Sequence, residues 1–94
     1  MKETILESSG NVFADLGFDP AEATLLQMRS LLMSDLRAYI AANQLTQVEA
    51  ATRLGIAQSR VSDLIRGKWE KFSLEMLITL ESRIGRKVTL ELVA

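Results

Sequence analysis

Apolar positions fall in a helical rhythm over most of this chain. Between Pro20 and Gln44 they are Leu25, Leu26, Met28, Leu31, Leu32, Met33, Leu36, Tyr39 and Ile40. Leu25, Leu32 and Tyr39 recur every seven residues, as do Leu26, Met33 and Ile40. That spacing predicts one long helix from Asp19-Pro20-Ala21-Glu22 to about Asn43 or Gln44. Asp19 suits the capping position, Pro20 the first helical position, and Glu22 the reciprocal position of a capping box. The apolar stripe is wider than one core contact needs. Its extra width is expected to bury against the N-terminal segment or another subunit.

Three shorter helices follow. Thr46 with Glu49 reads as a capping box that opens a helix from Gln47 to Leu54, stopped by Gly55. A third helix is expected over about Ala57 to Arg66, ending at Gly67. Lys68 to Phe72 reads as a loop, with Trp69 partly buried in it. Ser73 caps a helix from Leu74 to about Ile84 that turns Met76, Leu77, Leu80 and Ile84 inward, and Gly85 ends it. Residues 86–93 then alternate, with Val88, Leu90 and Leu92 on one face, which predicts a strand. A lone strand is unstable and needs a partner. Either the Thr4–Leu6 stretch or the same strand of a second chain supplies it, and twofold pairing favours the second chain. Residues 1–18 read as an acidic arm, with a turn at Ser8-Ser9-Gly10-Asn11 and a small apolar cluster of Val12, Phe13, Leu16 and Phe18 that is expected to pack on the domain, with a partner-binding arm as the alternative. Residues 19–94 form the folded domain.

Composition narrows the chemistry. The chain has 94 residues and neither Cys nor His, so disulfides, thiolate zinc sites and histidine general bases are absent. No Gly-rich phosphate loop appears, and the carboxylates are scattered, so neither an enzyme, a metal site nor a cofactor is expected. No apolar run is long enough for a membrane span, and no leader pattern is evident. The expected compartment is the cytoplasm, at the nucleoid. The net charge of −1 is unlike the basic balance common in nucleic-acid binders. Its distribution is uneven: residues 1–28 carry a net −4, and residues 47–71 a net +2. Two surfaces with different partners are implied.

The informative stretch is residues 46–67. Ala50 and Ala51 let a second helix approach closely, and Gly55 permits a sharp turn. Ile56 and Val61 plug the angle, while Leu54, Leu64 and Ile65 tie both helices to the core. This is the pattern of a helix-turn-helix. With those residues inward, Gln58, Ser59, Arg60, Ser62, Asp63 and Arg66 face outward. Short polar side chains and arginines suit base edges and phosphates.

The stretch resembles the helix-turn-helix of the lambda-repressor/Cro-like group, the XRE family, and within it the small single-domain members that include HigA-type antitoxins. Asn11-Val12-Phe13-Ala14-Asp15-Leu16-Gly17, Arg66-Gly67-Lys68, Phe72-Ser73-Leu74 and the closing Gly85 fit that subgroup, so the resemblance covers about residues 10–94. It implies a mainly α, lambda-repressor-like DNA-binding domain of four to five helices. The residues it marks for DNA are Thr46, Gln47, Ala57, Gln58, Ser59, Arg60, Ser62, Arg66 and Lys68. Gln47 and Gln58, eleven positions apart, match a phage-repressor pair in which the first binds phosphate and braces the second on a base. Arg60 would reach guanine, and Arg66 and Lys68 would bind phosphate. Arg53 and Lys71 are secondary phosphate candidates. Asp63 departs from the pattern, and a pairing with Arg60 or Arg66 is expected to neutralise it.

One recognition helix reads too few base pairs to find a site in a genome, so a homodimer on a palindromic operator is expected, joined through Val88, Leu90 and Leu92. The resemblance also implies a basic RelE/HigB-like toxin as partner, which an acidic arm would suit, making the chain a self-regulating antitoxin. A stand-alone or prophage-type repressor is the main rival. A protein-interaction module that ignores DNA is the second rival, and Asp63 on the reading face is its best support.

Overall fold

A computed structural model of the chain describes residues 12–94. These fold into five α-helices: α1 (Val12–Asp15), α2 (Pro20–Ala42), α3 (Gln47–Leu54), α4 (Gln58–Ile65) and α5 (Leu74–Arg83), with a 3-10 turn at Trp69–Lys71 before α5. The predicted helices thus lie where periodicity and caps put them. Asp19 accepts from the Ala21 N–H at 3.1 Å. The box at α3 is reciprocal: Thr46 Oγ1 accepts from the Glu49 N–H at 3.1 Å, and Glu49 Oε1 accepts from the Thr46 N–H at 2.9 Å. Those bonds hold the Glu49 carboxyl below the usual carboxylate range. Ser73 Oγ caps α5 by accepting from the Met76 N–H at 3.1 Å.

Helix α2 is the beam on which the rest is laid. Met33, Leu36 and Ile40 are buried with Ala50 and Leu54 of α3, Val61 and Leu64 of α4, Phe72, and Leu77 and Leu80 of α5. Each buried Leu, Met or Phe contributes roughly 1.5–3 kcal/mol over its exposed state. Ile65, expected in the core, is instead 41% exposed. The four-residue step from Val61 already carries it past the buried edge of α4. The short α1 packs on the start of α2, with Phe13 and Phe18 edge to face at 6.0 Å. The apolar cluster of residues 12–18 thus packs on the domain, the favoured of its two expected roles. The Ser8–Asn11 turn and the Thr4–Leu6 stretch lie outside the described residues.

No strand occurs among the described residues, so the strand expected over 86–93 has no ladder partner among them. Strand geometry needs a hydrogen-bonded neighbour. Residues 86–94 instead run in irregular backbone beside a groove of about 260 Å³ formed by Met28, Leu31, Leu32, Leu74 and Ile78, with Val88 and Leu90 at its edge. Part of the extra width of the α2 stripe faces this groove.

Arg86 fastens the start of that segment. Its N–H donates to the Glu81 carbonyl at 3.0 Å, and its guanidinium hydrogen-bonds Asp35 of α2 and sits 3.6 Å from Glu81 Oε1. It also lies 5.4 Å from the centroid of the Tyr39 ring. Glu81 is 1% exposed. Burial, and then the neighbouring Asp35 carboxylate, push its carboxyl up to about 8 against the opposing pull of Arg86.

The folded state therefore keeps a proton that the unfolded chain releases. Stability should fall as pH rises from the ordinary carboxyl range toward 8, since the native state binds more protons across that window. We expect Tm to drop by roughly 5 °C or more between about pH 6 and about pH 9. Glu81→Gln, a neutral isostere, should flatten that slope and exceed the parent in stability at the alkaline end. Parallel Tm-pH curves for the two proteins would rule out a titrating Glu81.

Candidate nucleic-acid interface

The corner between α3 and α4 is built from small and inward-pointing residues. Ala50, Leu54, Val61 and Leu64 are all fully buried, and Ile56 is partly buried in the angle. Gly55 takes a left-handed conformation at φ 68°, and the Ile56 N–H returns to the Ala51 carbonyl at 3.1 Å. A distant residue completes the corner. Arg83, at the end of α5, donates from Nη1 to the Leu54 carbonyl at 2.8 Å and to the Gly55 carbonyl at 3.4 Å. It satisfies carbonyls that the end of α3 leaves without helical partners. Nothing in the local pattern marked Arg83, because its partners lie 29 and 28 residues away.

The inward pair Val61 and Leu64 sets the opposite face of α4. At about 3.6 residues per turn, Gln58, Ser59, Ser62 and Arg66 share one side. Gln58, Ser59 and Arg66 are exposed, and Ser62 is half-buried. Ala57 caps α4 only by its backbone, with no side-chain hydrogen bond, whereas α2, α3 and α5 each have a side-chain cap. The first turn of α4 therefore presents unclaimed N–H groups, which favour an anion such as a phosphate. Gln47 is exposed at the first turn of α3. Thr46 accepts through its oxygen from Glu49, which leaves its own hydroxyl proton available to a phosphate.

Two expected roles meet a different geometry. Arg60 lies one step from buried Val61 and is half-buried on the flank of α4. Its Nη2 donates to the Lys71 carbonyl at 2.8 Å, and its guanidinium lies 4.6 Å from the centroid of the Phe72 ring. Asp63 pairs with neither Arg60 nor Arg66; its carboxylate is 3.8 Å from Lys68 Nζ. The expected neutralisation thus comes from the following loop. Arg53 donates to the Tyr39 hydroxyl at 2.9 Å and is a structural cation as well as a surface one. Trp69 is half-buried against the core, as its place in the loop suggested.

A helix-turn-helix domain family model matches residues 12–92. The chain belongs to this helix-turn-helix family. The match spans α1 to the segment after α5, so the family's domain takes in Arg83 and Arg86 as well as the α3–α4 corner. Among curated proteins no relative matches the chain. Membership makes a DNA-binding regulator the coarse functional class. No helix among the described residues is long and apolar enough to cross a membrane.

The corner makes a direct prediction. A Cβ at Gly55 would adopt a conformation disfavoured by about 1–2 kcal/mol and would lie 3.3 Å from Arg83 Nη1. Gly55→Ala should therefore lower unfolding free energy by about 1–2 kcal/mol or more in chemical denaturation. An unchanged midpoint would show that the left-handed turn does not limit stability.

Proposed function

We propose that this chain is a sequence-specific transcriptional repressor that binds a palindromic operator as a homodimer. The observation that carries the reading is the exposed set on α4. Gln58, Ser59, Ser62 and Arg66 share a solvent-facing side of a helix whose N-terminus is uncapped by any side chain. That face carries hydrogen-bonding groups for base edges and phosphates. Gln58 and Ser59 read bases; Thr46, Gln47, Ala57, Arg66 and Lys68 meet the backbone through side chains or N–H groups; Ser62 touches the strand one turn further on. Arg60 belongs to the same helix and acts from its flank.

Dimerisation places two such helices about 34–36 Å apart on one side of the duplex. The surface that supports it is the C-terminal segment, where Val88, Leu90 and Leu92 are 37%, 73% and 89% exposed. Apolar residues left in water beside an open groove favour a second copy as cover. In a dimer the alternating 86–93 stretch gains a ladder partner, which it does not have among the described residues.

The finer reading is an antitoxin that represses its own operon and neutralises a basic RelE/HigB-like toxin. The resemblance to HigA-type antitoxins and the net −4 over residues 1–28 support it. It acts in the cytoplasm, at the nucleoid.

The test is titration of the DNA upstream of its own reading frame, at several salt concentrations and with oligomeric state recorded. Two chains per palindrome and a steep loss of affinity with salt are expected. Gln58→Ala should cost about 1–3 kcal/mol and relax discrimination at one position per half-site. Equal affinity for the operator and an unrelated duplex would defeat the repressor reading. Leu90→Glu with Leu92→Glu should yield monomers that lose tight operator binding but keep the fold. If the double variant remains dimeric, the dyad lies elsewhere.

A further inference from the structure

The loop after α4 is tied back onto the helix at two levels. At the C-terminal level, the Lys68 N–H donates to the Asp63 carbonyl at 3.0 Å, and Lys68 Nζ faces the Asp63 carboxylate at 3.8 Å. At the N-terminal level, Arg60 donates to the Lys71 carbonyl at 2.8 Å and stacks over Phe72 at 4.6 Å. Phe72 is 2% exposed, so its ring is a fixed platform in the core. The loop therefore runs back along α4, from the level of Asp63 to that of Arg60, toward the end of the helix that faces the bases. Lys71 is exposed on it. A guanidinium with an aromatic face beneath it and a carbonyl at its edge is held in one geometry by two independent contacts.

We propose that Arg60 is a positioning residue: it clamps the Trp69–Lys71 turn to α4 so that Lys71 forms a second phosphate-binding edge beside the recognition helix. This rests on the reading of α4 as the DNA-facing helix. The ligand at this edge is the DNA backbone, which carries no sequence information. A flexible ammonium is an effective phosphate ligand only when its backbone anchor stands at the right place, and Arg60 fixes that anchor through the Lys71 carbonyl itself. Arg60 then contributes to affinity without contributing to base choice.

The first arm of the test uses the free protein. In Arg60→Ala, the loop amides of Trp69, Lys71 and Phe72 should exchange with solvent about tenfold faster or more, while amides of α2 and α5 keep their rates. Unchanged loop exchange overturns the clamp. Arg60→Gln keeps a donor but removes the cation over Phe72, so it should also speed loop exchange, and it serves if the alanine variant fails to fold; unchanged exchange in it overturns the clamp.

The second arm uses DNA. Arg60→Ala should weaken operator and unrelated duplex alike, on the order of tenfold, and lower the salt slope by about 1. Lys71→Ala should do the same, with little further loss in the double variant, because both remove one phosphate contact. A loss confined to one base pair would make Arg60 a base reader and overturn the proposal. Fully additive losses would also overturn it, since Arg60 would then not act through Lys71. If the unsubstituted protein binds no DNA, the repressor reading and the phosphate role fail together, whereas the exchange arm still decides whether the clamp exists.

Discussion

The burial of Val61 and Leu64 of α4 with Ala50 and Leu54 of α3 is the contact on which the rest of the molecule depends. Once these four are inward, helical geometry leaves no choice about which residues of α4 face solvent. The contact needs alanine at position 50 for close approach and glycine at 55 for the left-handed turn. It also needs help from afar, because a corner between two eight-residue helices has few bonds of its own. Arg83 supplies it by closing the carbonyl end of α3 from the last turn of α5. The outward face of α4 is thus held from α5 as well as from its neighbour α3.

Seven of the cations show two kinds of placement. Arg53, Arg60, Arg83 and Arg86 each hydrogen-bond a carbonyl, a carboxylate or a hydroxyl within the chain. Arg66 and Lys71 lie exposed, and Lys68 is half-exposed beside Asp63. A chain with net charge −1 thus commits four arginines to its own architecture. Arginine suits that use, since its planar fork satisfies several acceptors at once and stays charged when half-buried.

At the other end, Asp35, Glu81 and Arg86 join the C-terminal segment to α2 and α5. Two carboxyl groups share one guanidinium there, and the more buried one retains its proton into the neutral range. A protonated Glu81 leaves one negative charge facing one positive charge, which is the arrangement least costly to bury. The same clasp sets where residues 87–94 leave the domain, and so where Val88 and Leu90 stand beside the apolar groove.

The sequence by itself determined the helices, the caps and the inward side of the corner. These are local: the Thr46–Glu49 box, Gly55 and the spacing of Val61 and Leu64 act within one or two turns, so their pattern is readable from a single chain. Gln58, Ser59 and Arg66 could be assigned to the outer face for the same reason. Only the tertiary structure decided the fate of Arg60, Asp63, Arg83 and Glu81. Arg60 and Asp63 stand on the edge between faces, where helical phase cannot say whether a long side chain meets solvent or a returning loop. Arg83 and Glu81 depend on partners 29 and 46 residues distant in the chain, Leu54 and Asp35. Such pairings arise only when packing has brought separate helices together, and no spacing along the sequence encodes them.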